Sequence, residues 1–153
     1  MFRTLIAAAA ALSFAAPAFA QDSDLLLGDA WECRAVSLVG EPTGELMLAF
    51  DEGGGAYVSF YMEIPVQDTL MAVEFDLGGE WSVDGSTLAI QTSEFSMVNA
   101  WMDGEEMDSD AIEALGAELE EEFTDYGGEN EIAFISEHAL VLEELETSIS
   151  CWR

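Results

Sequence analysis

The chain contains no lysine, and its three arginines, Arg3, Arg34 and Arg153, face 32 aspartates and glutamates. No basic patch can be assembled to track a phosphate backbone. The formal charge of −29 repels nucleic acid and anionic lipid at every distance that salt screening allows. Basic proteins and cations are the favoured partners, and the same acids keep a chain solvated outside the cell. Histidine is nearly absent as well: His138 stands alone in "ISEHAL", a turn-like stretch between two apolar runs. A Ser-His-Asp or Cys-His nucleophile has only that residue to draw on. Nothing singles out one carboxylate pair from the 32 acids for glycosidase-like chemistry. These absences argue for a non-enzymatic protein with no cofactor. Beyond residue 20 no stretch approaches the roughly 18 uninterrupted apolar residues of a membrane-spanning helix.

What the chain does have begins with an export grammar. Arg3 supplies a charged start, residues 5–16 an apolar run, and "AFA" at 18–20 a small-residue cleavage site. The expectation is a signal peptide over 1–20, a mature chain from Gln21, and a soluble periplasmic or secreted protein. Removing Arg3 with the leader takes the formal charge from −29 to −30. Residues 21–29, "QDSDLLLGD", read as a lead-in segment, and 30–153 as one domain, large enough to bury about two-thirds of its unfolded surface. Cysteine occurs twice, as Cys33 and Cys151, near the two ends of that domain. In an exported chain the pair is expected to form a disulfide. The rival readings, a metal pair or a catalytic thiol, would want CxxC spacing or a neighbouring histidine.

Between the cysteines the apolar residues alternate. "ELMLAFD" puts Leu46, Leu48 and Phe50 on one face, and "AYVSFYMEI" does the same for Val58, Phe60, Met62 and Ile64. The intervening "DEGGGA" is a hairpin signal. Met71, Val73, Phe75 and Leu77 alternate next; Trp81 and Val83 lead to an Asp84-Gly85 turn, and Leu88 and Ile90 follow it. Ile132 with Phe134 and Leu140 with Leu142 form a last pair. About eight short strands with turn punctuation predict an antiparallel barrel or sandwich. One segment breaks the period: over 110–123, Ile112, Leu115, Leu119 and Phe123 fall at helical spacing, with Asp110 and Glu113 as a capping-box-like start and Gly127-Gly128 as the stop. Ahead of it, "MDGEEMDSDAIE" gathers Asp103, Glu105, Glu106, Asp108, Asp110 and Glu113. Their offsets do not match an EF-hand loop, so a solvated acidic loop with weak, non-specific cation binding is expected.

With "GDAW" opening the first strand, a Gly-rich hairpin before an aromatic strand, "GGEWSVDGSTLAI" and the closing "IAFISEHALVL", most of residues 28–153 resembles the calycin superfamily, in particular the small exported lipocalin-like barrels of bacteria. The resemblance implies an up-and-down barrel of about eight strands with one inserted helix. It implies that Trp31, near the start, packs under Arg153, near the end, in a cation–π contact that closes the barrel. It also implies binding of a small apolar or amphiphilic ligand, or of an envelope partner. Phe50, Phe60, Met62, Met71, Phe75 and Leu88 would be candidates for lining such a site. The other reading is an acidic interaction protein in which the same side chains fill a solid core.

Overall fold

In the computed structural model, which describes residues 23–37, 44–124, 127–144 and 147–153, the alternating stretches form nine strands. The expected leader at 1–20 lies outside the described residues. After a single 3₁₀ turn at Ser23–Leu25 come β1 (Trp31–Ser37), β2 (Gly44–Phe50), β3 (Gly55–Val66), β4 (Thr69–Asp84) and β5 (Thr87–Met102). A two-residue β6 (Glu105–Glu106) precedes the helix α1 (Ser109–Phe123). β7 (Gly127–Ile135), β8 (Ala139–Glu144) and β9 (Thr147–Trp152) complete the chain. Each strand but β6 is antiparallel to a neighbour on both sides. β9 pairs with β1 at Cys33↔Cys151, so the sheet closes into an eight-stranded barrel. β6 stands outside the ring, folded back on the end of β5 at Trp101↔Glu106.

The pleat decides what lies inside. Leu46, Leu48 and Phe50, Val73, Phe75 and Leu77, and Leu140 and Leu142 are all buried at alternate positions, and the residues between them face out. Trp31, Leu88 and Leu140 are fully shielded from water. The hairpin at "DEGGGA" forms as expected: the Asp51 carboxylate accepts the N–H groups of Gly53 and Gly55 at 2.6 and 3.0 Å, and Gly54 takes φ +89°. Asp84-Gly85 also turns, with Gly85 at φ +63°.

β4 is a single 16-residue strand whose register slips between Gly78 and Gly79. That bulge bends the long hairpin around the barrel. A Cβ at Gly79 would run into the backbone carbonyl of Gln91 on β5, so only glycine lets the two backbones approach this closely. Gly79→Ala is expected to cost about 1–3 kcal/mol in urea denaturation. Gly44→Ala, whose Cβ would sit an ordinary 3.5 Å from the Tyr61 carbonyl oxygen, serves as the near-neutral control.

β5 pairs with β4 along its whole length but with β7 only over Thr87–Gln91. The helix α1 covers the remaining stretch of β5, approaching so closely at the buried Gly116 that a Cβ there would lie 3.0 Å from Met97 Cβ. A mid-helix glycine sacrifices up to about 1 kcal/mol of helix propensity, and this close approach is its return. Ile112, Leu115 and Phe123 of the expected stripe pack on the core, and Leu119 is half-buried. The helix ends differ from the sequence expectation. Asp108, not Asp110, is the N-cap, its side chain accepting the Ala111 N–H at 3.0 Å. At the other end Thr124 caps the helix, donating its backbone N–H to Glu120 O at 2.9 Å, and Gly127-Gly128 instead open β7. Several polar residues of this region could cap, and the chain path through the preceding acidic turn decides which one reaches.

Candidate ligand site

The two ends of the barrel are built differently. At one end the lead-in folds underneath: Leu26 is buried, and Trp31 Nε1 donates to its carbonyl at 3.2 Å. The Arg153 guanidinium lies 4.0 Å from the centre of the Trp31 ring. Its hydrogen bonds go to backbone carbonyls, with Nη2 donating to Leu25 at 2.9 Å, Nη1 to Leu27 at 2.8 Å and Asp29 at 3.3 Å, and Nε to Glu137 at 3.0 Å. One cation therefore satisfies the exposed acceptors of two chain segments and covers an aromatic face. Gly28, at φ +111°, lets the lead-in pass beside the guanidinium. The Cys33–Cys151 disulfide spans the adjacent β1–β9 pair. This end is sealed.

Toward the other end lies a cavity of about 150 Å³. Leu46 and Leu48 of β2, Val58 and Phe60 of β3, Leu77 of β4, Ile90 of β5, Leu142 of β8 and Ile149 of β9 give it an apolar wall. Phe123, the last residue of α1, is also part of the lining, and its ring approaches those of Phe75 at 5.1 Å and Phe95 at 6.4 Å. The Thr92 hydroxyl donates to the Phe123 carbonyl at 2.7 Å, tying the helix end to the wall. Three polar side chains join the lining: Thr92, Asn130 and Glu144. Asn130 is 8% exposed, alternates with Ile132 on the inner face of β7, and its Oδ1 has no hydrogen-bond partner among the described residues.

The structure distributes the residues singled out in the sequence. Phe60 lines the cavity. Phe50, Phe75 and Leu88 are buried in the core around it, Phe50 against Trp81 at 5.3 Å and Phe75 against Phe60 at 5.2 Å. Met62 and Met71 are partly buried and pack on that core. Alternation marked all six as inward, but depth along the barrel decides which inward residues meet the void. Thr92 and Asn130 were not singled out; the available signal was a polar residue at an inward position, Thr92 after Leu88 and Ile90, Asn130 before Ile132. Phe123 was legible only as the end of a helical stripe.

The acidic stretch is used structurally. Asp103, at φ +52°, accepts the Leu70 N–H at 2.8 Å, Glu106 accepts from Asn99 at 3.3 Å, and Asp108 caps α1. Among the described residues no three His, Cys, Asp or Glu side chains are grouped to hold a metal ion. His138 lies in the turn between β7 and β8, where its carbonyl accepts the Arg153 N–H at 3.4 Å. On the outer wall a shallower depression of about 360 Å³ crosses β9 and β1–β4, with Trp152, Glu32, Tyr61 and Glu74 around it. A hydrogen bond to the Glu63 carboxylate raises the pKa of Tyr61 above the usual phenol value, and one to Asp76 does the same for Tyr57. No helix among the described residues is long and apolar enough to cross a membrane.

A closed eight-stranded antiparallel barrel, sealed at one end by a tryptophan under an arginine and carrying a helix toward the other, defines a lipocalin-like, calycin-type fold. Over 84% of its length the chain is similar to a lipocalin-like protein from Bacteroides uniformis, at 12% identity, 98% coverage of that chain and a TM-score of 0.50. It is also similar to an uncharacterized protein from Bacteroides eggerthii, at 12% identity, the same coverages and a TM-score of 0.41. No family model and no curated protein matches the sequence.

Proposed function

We propose that the protein is an exported, non-enzymatic binding protein whose barrel holds a small apolar or amphiphilic molecule in the cavity lined by Phe60, Leu142 and Phe123. The observation that carries this reading is the cavity itself, about 150 Å³ with a mainly hydrocarbon wall to which the helix end contributes Phe123. A void of that size among Leu, Ile and Phe side chains is large enough for a single six-membered ring and is favourably filled by one. Binding in such a space derives its free energy from apolar burial and from dispersion contacts that the empty wall lacks. The fold supports binding in general terms, since barrels of this type enclose their ligands. Export is supported by the leader-like residues 1–20 and by a disulfide, which persists in an oxidising compartment.

Titration with toluene, followed by amide and methyl NMR shifts, tests the reading. Saturable shifts confined to Phe123, Asn130, Leu142 and their neighbours are expected. Ile90→Phe, which fills the void from β5, is expected to weaken binding by about tenfold or more, equivalent to about 1.4 kcal/mol. Absence of saturable shifts in the parent protein overturns the proposal. A second reading, an acidic interaction protein that engages a basic envelope partner or cations from its exterior, is favoured by the formal charge of −29 and by the exposed Trp152 and Tyr61 among carboxylates. It is distinguished by salt-sensitive association with a basic protein in the absence of toluene binding.

A further inference from the structure

We infer that Asn130 is the specificity-determining residue of the cavity, and that the ligand is a small non-anionic molecule, one ring or a short branched chain, carrying one hydrogen-bond donor such as a phenolic hydroxyl. The inference rests on the reading of the cavity as a ligand site and names the chemistry that site selects. A buried amide oxygen without a partner has given up its water and gained no hydrogen bond in return, an arrangement that native interiors seldom keep without a reason. Here the atom sits at an inward position of β7, paired across the sheet with the fully buried Leu88, in the wall of the void. A leucine in its place would extend the apolar wall at no such penalty. Asn130 instead places an amide acceptor in a mainly hydrocarbon wall, on the inner face of β7.

The other two polar side chains of the lining set the remaining limits. The proton of the Thr92 hydroxyl is engaged by the Phe123 carbonyl. Glu144 contributes a carboxylate to the lining, and with the formal charge of −29 it repels any anion approaching the cavity. A ligand that enters is thus neutral or cationic, and the void of about 150 Å³ limits it to one ring or a short branched chain. Its donor O–H or N–H is received by Asn130 Oδ1.

Phenol and toluene have nearly the same shape and differ by a hydroxyl in place of a methyl group, so they isolate the donor. Calorimetric or NMR titration of both, on the parent protein and on Asn130→Leu, is the test. In the parent, phenol is expected to bind about tenfold more tightly than toluene once the difference in their transfer from water to an apolar solvent is subtracted, the upper range for one buried hydrogen bond. Asn130→Leu should abolish that preference while retaining toluene binding. Should the variant fail to fold, the parent comparison stands by itself, with benzonitrile, which accepts but cannot donate, as a third ligand. Toluene binding with no corrected preference for phenol, or benzonitrile outcompeting phenol, overturns the donor assignment and leaves the apolar site intact. If toluene and phenol both fail to bind the parent, the site reading falls and this inference with it.

Discussion

Cys33→Ala combined with Cys151→Ala is expected to remove about 5 kcal/mol of stability, measured by urea denaturation against the oxidised parent. The sequence separation is 118 residues, which the loop-entropy relation places at the upper end of disulfide contributions. Domains of this size are typically stable by only about 5–15 kcal/mol, so the reduced protein should be marginal. The bridge joins β1 to β9 in register, at the seam where the first strand meets the last. Without it the unfolded chain must close that seam by bringing together its most distant segments, and the slowest folding step should be this pairing. A loss below about 1 kcal/mol would show that the seam is held by its backbone ladder and not by the covalent link. The expected result also ties the fold to its compartment, because a protein that depends on this bond is poorly suited to a reducing cytoplasm.

Arg153→Ala is expected to destabilise the protein by about 3–4 kcal/mol, and Arg153→Lys to recover less than half of that. The guanidinium bonds four carbonyls from two segments and lies over the buried Trp31 ring at 4.0 Å. A lysine ammonium has three donors on one atom and cannot span acceptors spaced around a planar fork. The loss should appear in the lead-in, with hydrogen exchange at 26–31 rising before exchange in β4 or β5. Trp31→Ala in both backgrounds completes a double-mutant cycle, and a coupling of about 0.5–2 kcal/mol is the expected signature of the cation–π contact. Full recovery by lysine, or additivity of the two substitutions, would show that Arg153 merely fills space at this end.

Both predictions concern the two places where the chain spends its scarce residues. The only cations beyond residue 20 lie one residue from Cys33 and two from Cys151, and the structure gives them different tasks. Arg34 makes an exposed ion pair with Glu45 at 2.9 Å, of the kind that contributes little. Arg153 reaches around the barrel end to carbonyls more than 120 positions away in sequence. Nothing in "ECRA" or "CWR" distinguishes the two, because both read as Cys and Arg in a terminal strand.

The sequence by itself determined most of the strands and inward faces, the hairpin glycines, the helix and the pairing of the two cysteines. Each of these is set by neighbours a few positions apart: period-two burial, period-three-to-four burial, positive φ, or an inventory too small to permit an alternative. Phe134, which alternates with Ile132 in the sequence, is exposed, because a register shift between the two turns it outward. The tertiary structure alone decided what the inward residues do. Leu88 and Leu142 alternate identically in the sequence and are both buried, yet only Leu142 meets the void, because closure of the ring sets the depth at which each is held. Asn130 acquires its meaning in the same way. Its burial follows from the pleat, but its lack of a partner depends on the Leu, Ile and Phe side chains that six other strands and the end of α1 bring to face it. Those contacts join residues far apart in the chain, and no local pattern encodes them.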